Sequence, residues 1–252
     1  MDTLYVVMPA YNEAENIRTT VADWYTVLEH GSVDSRLLIV NDGSTDNTWE
    51  ICQELRQEYP KLMVIDQVNS GHGPTCLHAY RTALRLGANF IFQTDSDGQT
   101  RPEEFFQLWE RRYDHALNIG YRHRREDGRS RALVSKVLRL LIHLRIGVSV
   151  KDPNTPYRLM SSISLSQWMN YVPDQFFLSN AVLTAIPAYR GESICWHPIT
   201  FRPRQGGVNS INFAKMIKIG FAAFVDFHAV KKALKRDLGG KKKGEQIVIP
   251  VE

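Results

Sequence analysis

A chain of 252 residues can bury one large domain or a domain with an appendage, and 43% hydrophobic with 23% charged residues excludes disordered, collagen-like and coiled-coil classes. The net charge of +4 is small, but Arg and Lys concentrate between Arg122 and Lys151 and again after Lys215. Cys52, Cys76 and Cys195 are scattered without metal-type spacing, which argues against a disulfide framework and suits a reducing compartment.

In chain order, residues 4–8 (LYVVM) read as a fully buried strand, ended by the turn Pro9-Ala10-Tyr11-Asn12-Glu13. A helix is expected next, with Asn12 as its cap, Glu13 and Glu15 in its first turn, and Ile17, Val21, Trp24, Val27 and Leu28 at helical spacing. Residues 37–40 make a second buried strand that opens into Asn41-Asp42-Gly43-Ser44-Thr45-Asp46-Asn47-Thr48. Ser44 or Asp46 can cap a helix over 48–59, which stops before Pro60. A third strand over 62–65 leads to the glycine-rich turn Asn69-Ser70-Gly71-His72-Gly73-Pro74 and a helix over 75–86.

The next strand, beginning at Phe90, switches from an apolar run to Asp95, Ser96, Asp97, Gly98 and Gln99. Two carboxylates at i and i+2 in a turn can aim at one point, which suits a hard divalent cation with oxygen ligands, and Gln99 adds a neutral oxygen. Such a cation usually shares its shell with substrate phosphates. Strands alternating with helices spell an α/β fold with a doubly wound, mostly parallel sheet, whose ligands sit beyond the carboxyl ends of the strands. Asn12, Glu13, Asp42, Asp46, Gly71, His72, Asp95 and Asp97 should therefore gather on one rim. Neither G-x-G-x-x-G nor G-x-x-x-x-G-K-[ST] occurs, so both common nucleotide fingerprints are absent and carboxylates stand in their place.

Further on, residues 131–146 carry Leu133, Val134, Val137, Leu138, Leu141, Ile142 and Leu144 against Lys136, Arg139 and His143, a basic amphipathic helix. Residues 211–236 repeat the theme, and each helix reads either as lying at the interface of an anionic membrane or as an ordinary core helix packed on the domain. Residues 237–252 read as a flexible basic tail. No export signal and no spanning run of apolar residues is evident, so a peripheral position at the cytoplasmic face is expected. Basic residues interleaved with aliphatics rather than stacking aromatics give no support to a nucleic-acid partner.

PAYNE at residues 9–13, NDGSTDNT at 41–48, N-x-G-x-G at 69–73 and DSDGQ at 95–99 together resemble the family 2 inverting glycosyltransferases of GT-A fold. Residues 119–122 (IGYR), Arg131 with Ser135, Asp152 with YRLM at 157–160, and PITF at 198–201 with Arg204 and Gly207 resemble the branch that acts on dolichyl and bacterial polyprenyl phosphates. The resemblance covers about residues 3–210, so a transferase domain over 1–210 is followed by the amphipathic helix at 211–236 and the tail.

That resemblance implies a nucleotide-sugar donor held through Pro9, Tyr11, Glu13, Asp42, Gly71, Asp95, Ser96 and Arg204, with Asp95, Asp97 and Gln99 about a Mg²⁺ or Mn²⁺ ion. Asp97, Arg122 and Arg131 would carry the chemistry, the arginines facing phosphate with their planar fork. Asn41, where many relatives have a second Asp, leaves the donor open between UDP- and GDP-linked sugars. A polyprenyl phosphate acceptor is already ionised at neutral pH and needs cations rather than a base. A sugar hydroxyl of a lipid-linked glycan would need one, and Asp174 is its candidate, although Asp174 can equally cap a helix. A subunit that binds the nucleotide sugar without catalysis is the third reading.

Overall fold

The computed structural model describes residues 1–122, 129–202 and 213–239. Seven strands form one sheet in the order β3-β2-β1-β4-β6-β5-β7. They are β1 (Leu4–Ala10), β2 (Arg36–Asp42), β3 (Leu62–Gln67), β4 (Phe90–Gln93), β5 (Leu117–Arg122), β6 (Arg158–Ser161) and β7 (Ile194–Ile199). Strand β6 runs antiparallel to both β4 and β5, and the other neighbours are parallel, as expected for a mostly parallel α/β sheet. Two reversals around β6 leave β5 pointing the same way as β4, so Asp95 and Arg122 leave the sheet at the same edge.

The period of two along each strand divides the core. Tyr5, Val7, Leu38, Val40 and Ile91 face one apolar layer, while Leu4, Val6, Met8, Leu37, Ile39, Phe90 and Phe92 face the other. The second layer is closed by α1 (Ile17–Tyr25), α2 (Thr48–Glu58) and α4 (Phe106–Trp109). Trp24 stacks on Phe92 at 5.2 Å between ring centroids, and Phe92 meets Tyr157 edge-on at 4.8 Å. The first layer is closed by α3 (His72–Arg85), α5 (Arg129–Arg145), α6 (Ser162–Met169), α7 (Ser179–Arg190) and α8 (Phe213–Gly239).

One face of α8 packs on the domain. Ala223, Phe227, Val230 and Leu234 recur at helical spacing and are buried in the same layer as Leu138 and Ile142 of α5 and Ile146 just after it, with the Phe227 ring 5.7 Å from Phe176. That stripe is covered by protein, while Phe224 and Val225 of the same helix stay exposed. Residues 240–252 of the expected basic tail lie outside the described residues.

Two helix starts also differ from expectation. Asn12 does not cap α1, which begins at Ile17 after Asn16. Asn12 instead takes a left-handed backbone (φ 55°), and its Oδ1 accepts from the Thr45 backbone N–H at 2.8 Å. Asparagine tolerates that conformation better than most residues, which frees its amide to join two loops. The third helix starts at His72, earlier than expected, because the left-handed Gly71 (φ 91°) turns the chain directly into it.

Candidate active site

The loops after β1 and β2 are stitched together by short polar side chains. Asn12 N–H donates to Ser44 Oγ at 3.0 Å, Glu13 N–H to Thr48 Oγ1 at 2.8 Å, and Ala14 N–H to Asp46 Oδ2 at 3.1 Å. Asp46 also accepts from Thr48 N–H at 3.0 Å, so it tethers the first residue of α2 from one position ahead of Asn47, which stands at the N-cap in place of the expected Ser44 or Asp46. Burial works against its charge, but the donors from Thr48 and Ala14 win and hold its pKa below the usual carboxylate value.

Asp42 is spoken for. One oxygen accepts from Gln67 Nε2 at 2.8 Å and Ser70 N–H at 2.8 Å, and the other from Gly71 N–H at 2.9 Å. Expected to hold the donor's base or ribose, it also pins the glycine-rich turn to the end of β2. That turn is tightly enclosed, since a Cβ on Gly73 would lie 2.3 Å from the carbonyl oxygens of Phe176 and Phe177. Gly73 thus lets the start of α3 touch the backbone that leads into α7.

The loop after β4 completes the rim. Ser96 Oγ donates to the Pro9 carbonyl at 2.8 Å and is buried, so both fix the loop through the backbone. Asp95 and Asp97 are half-buried, and Asp97 Oδ1 accepts from Gln99 N–H at 3.1 Å. Gln99 is buried and its Nε2 donates to the Arg202 carbonyl at 2.9 Å, while Arg202 N–H returns to the Gln99 carbonyl at 2.8 Å. Gln99 therefore ties the loop to the segment after β7, a role its sequence position did not signal. Among the described residues no three His, Cys, Asp or Glu side chains converge as a closed metal cage. Two carboxylates on adjacent alternate positions are nevertheless the hard oxygen donors that Mg²⁺ or Mn²⁺ accepts when phosphates supply further ligands, so the donor set fits.

His72 is the rim residue whose partner the sequence could not show. Its Nε2 lies 3.1 Å from Asp95 Oδ1, and its ring approaches Cys76 Sγ one turn along α3. Burial opposes the imidazolium, but Cys76 and Asp95 favour it and prevail, so the pKa stands well above the ordinary histidine value. His72 is half-exposed at the first position of a 14-residue helix, whose N-terminus adds positive potential beside the two carboxylates.

The remaining expected residues are placed differently. Tyr11 is exposed on the rim, and Glu13 is buried with its Oε2 accepting from Asn16 Nδ2 at 2.8 Å. Arg122 was expected to face phosphate, yet its Nε and Nη2 donate to the two oxygens of Asp152 at 2.8 Å each, with side chains only 11% and 6% exposed. Its guanidinium also lies over the Phe201 ring at 5.3 Å. In this arrangement Arg122 closes the β5 edge as half of a bidentate pair. Asp174 caps no α7 turn, because that helix starts at Ser179 after Leu178. Its side chain is 82% exposed and paired with Arg81 at 2.6 Å. Arg81 is nine residues beyond His72, about 13 Å down α3 from the rim at 1.5 Å per residue. The Arg131 side chain and Arg204 lie outside the described residues.

The family model described as Glycosyl transferase family 2 matches residues 5–165. Over 221 residues the chain is 27% identical to "Polyprenol monophosphomannose synthase" of Mycolicibacterium smegmatis, covering 82% of this chain and 80% of that protein. It is 25% identical over 214 residues to "Undecaprenyl-phosphate mannosyltransferase" of Micrococcus luteus, covering 82% and 86%. Among solved structures, glucosyl-3-phosphoglycerate synthase from Mycobacterium tuberculosis, in complex with Mn²⁺, uridine-diphosphate-glucose and phosphoglyceric acid, superposes with a TM-score of 0.65. That superposition covers 92% of this chain and 80% of that one at 18% identity, a likeness of fold.

Proposed function

Because the chain belongs to glycosyl transferase family 2, we propose that it moves one sugar, with inversion, from a nucleotide-sugar donor to a polyprenyl phosphate at the cytoplasmic membrane face. The observation that carries this reading is the joined rim: four strand-end loops held together by side-chain hydrogen bonds, with Asp95, Asp97 and His72 on it. Asp95 and Asp97 would hold Mg²⁺ or Mn²⁺, which supplies positive charge to a departing nucleoside diphosphate. His72 and the start of α3 add cationic character where the diphosphate leaves. Pro9, Tyr11 and Glu13 line the nucleoside end, with Gly71 and Ser96 shaping the floor between. Arg131 and Arg204 are proposed to meet phosphate, and Arg122 to brace that side through Asp152.

A phosphate acceptor is favoured over a sugar hydroxyl by the position of Asp174. An ionised phosphate attacks without a base, whereas a hydroxyl needs one within hydrogen-bond reach. Asp174 is engaged by Arg81, which sits on α3 about 13 Å beyond His72 at 1.5 Å per residue, and that pairing supports the reading without a base. The names of the two relatives, both concerned with lipid phosphates, point the same way. Asp174→Asn is accordingly expected to keep transfer to a prenyl phosphate within about threefold of wild type. A drop of about 10² or more, the usual contribution of a general base, would restore the hydroxyl acceptor.

The donor is read by thermal unfolding with Mn²⁺ and a panel of uridine and guanosine diphosphates and their sugars. A ligand at a hundred times its dissociation constant stabilises by about 2.7 kcal/mol, or about 5–10 °C for a domain of this size. Chelation with EDTA is expected to remove most of that shift. Equal shifts with and without metal would refute a metal-bridged pyrophosphate. Binding of the right sugar nucleotide without any transfer would favour the non-catalytic subunit.

A further inference from the structure

Helix α5 presents two apolar faces. Leu138, Ile142 and Ile146 are buried against α8 and the sheet layer. On the other side Val137, Leu140 and Leu144 are 48%, 56% and 61% exposed, and Val134 continues the same stripe. At the α5–α8 junction Phe224 and Val225 are exposed too, with the Arg145 guanidinium 3.8 Å from the Phe224 ring centroid. Aliphatic residues in that number on one solvent face mark an interaction surface rather than scattered exposure.

The charges beside the stripe say what covers it. Helix α5 contains Arg129, Arg131, Lys136, Arg139 and Arg145 and no Asp or Glu. Lys136, Arg139 and His143 line a cleft of about 310 Å³ with Leu140, Ser149 and Val150, and Ser149 Oγ lies 3.3 Å from His143 Nδ1. A second copy of the chain docked by two-fold symmetry on this face would set cations against cations. An anionic bilayer meets both requirements at once, since acyl chains accept the aliphatic stripe and headgroup phosphates accept the cations.

We propose that the exposed aliphatic stripe of α5 docks the protein on an anionic membrane, with the Lys136–Arg139–His143 cleft receiving a phospholipid headgroup. The assignment deepens the reading of a lipid-phosphate acceptor and rests on it for its purpose. Strand β5 ends on the same edge of the sheet as Asp95, and α5 is the next helix in the chain, so docking through it brings that edge towards the lipid.

The test is flotation of the full chain with vesicles of phosphatidylglycerol and phosphatidylcholine against vesicles of phosphatidylcholine alone. Wild type should float with the first, and about 0.5 M salt should reduce the bound fraction. Two variants are compared, Leu140→Glu with Leu144→Glu, and Lys136→Ala with Arg139→Ala. Each should lower partitioning about tenfold or more, because each basic residue near such a surface and each inserted aliphatic contributes to binding. All four positions are exposed, so circular dichroism and transfer to a water-soluble, short-chain prenyl phosphate should match wild type. Unchanged flotation of either variant, or equal binding of wild type to both vesicles, overturns the proposal. So does a wild-type dimer in sedimentation that the leucine variant converts to monomer. Loss of flotation in the variants, with no wild-type transfer to any prenyl phosphate, would uphold the docking surface and sink the acceptor reading instead.

Discussion

Asp97→Ala is expected to lower sugar transfer at least about a thousandfold while leaving a folded protein. A carboxylate that helps hold a divalent cation against a leaving diphosphate contributes several kcal/mol to the transition state, and every 1.36 kcal/mol is tenfold in rate. About 4 kcal/mol therefore corresponds to about 10³. The structural cost is much smaller. Asp97 accepts from Gln99 N–H, a bond worth about 1 kcal/mol, and the loop stays anchored through Ser96 to Pro9 and through Gln99 to Arg202. Initial rates with saturating Mn²⁺ and donor, beside thermal unfolding of the same samples, separate the two effects. Turnover within tenfold of wild type would remove Asp97 from the chemistry.

The largest loss of stability is expected from Arg158→Met, about 3 kcal/mol, or a fall of about 6–12 °C in Tm for a domain of this size. Arg158 is fully buried at the start of β6. Its donors reach four times to backbone carbonyls, with Nη1 to Asn180 at 2.8 Å, Nη2 to Thr155 at 2.6 Å and to Pro153 at 3.3 Å, and Nε to Thr155 at 3.2 Å. Burial pulls its pKa below the ordinary guanidinium value, which measures the cost of holding a charge there. Replacing a buried ion by an apolar side chain of similar volume can be neutral when its partner is replaced too. Here the partners are main-chain carbonyls that no substitution removes. Thr184 Oγ1 also serves Pro153 and Asn180, so the Thr155 carbonyl bears most of the loss. Thermal or denaturant unfolding checks the value, and a change under about 1 kcal/mol would show that water replaces the guanidinium without cost.

The strands, their alternation with helices and the placement of the rim follow from local pattern. Runs such as LYVVM and LLIV can only be buried on both faces, and the polar residues that follow each run emerge at one edge because parallel strands share a direction. The family was legible for the same reason, since its motifs are those strand-end loops and each is contiguous. The fate of a charge was not legible, because partners distant in the chain decide it. Arg122, expected at phosphate, shares two of its donors with Asp152, and Asp174 pairs with Arg81, 93 residues away, partners that the sequence around either residue does not show.

Amphipathic spacing likewise showed that α5 and α8 each own an apolar face, and nothing in either sequence said what would cover it. In the folded chain the faces of Ala223, Phe227, Val230 and Leu234 and of Leu138, Ile142 and Ile146 cover one another, while Val137, Leu140 and Leu144 are left outside. Periodicity along a helix reports that a surface is apolar. Which surface remains for a membrane depends on the order in which distant segments pack, a property of contacts between elements that no single element carries.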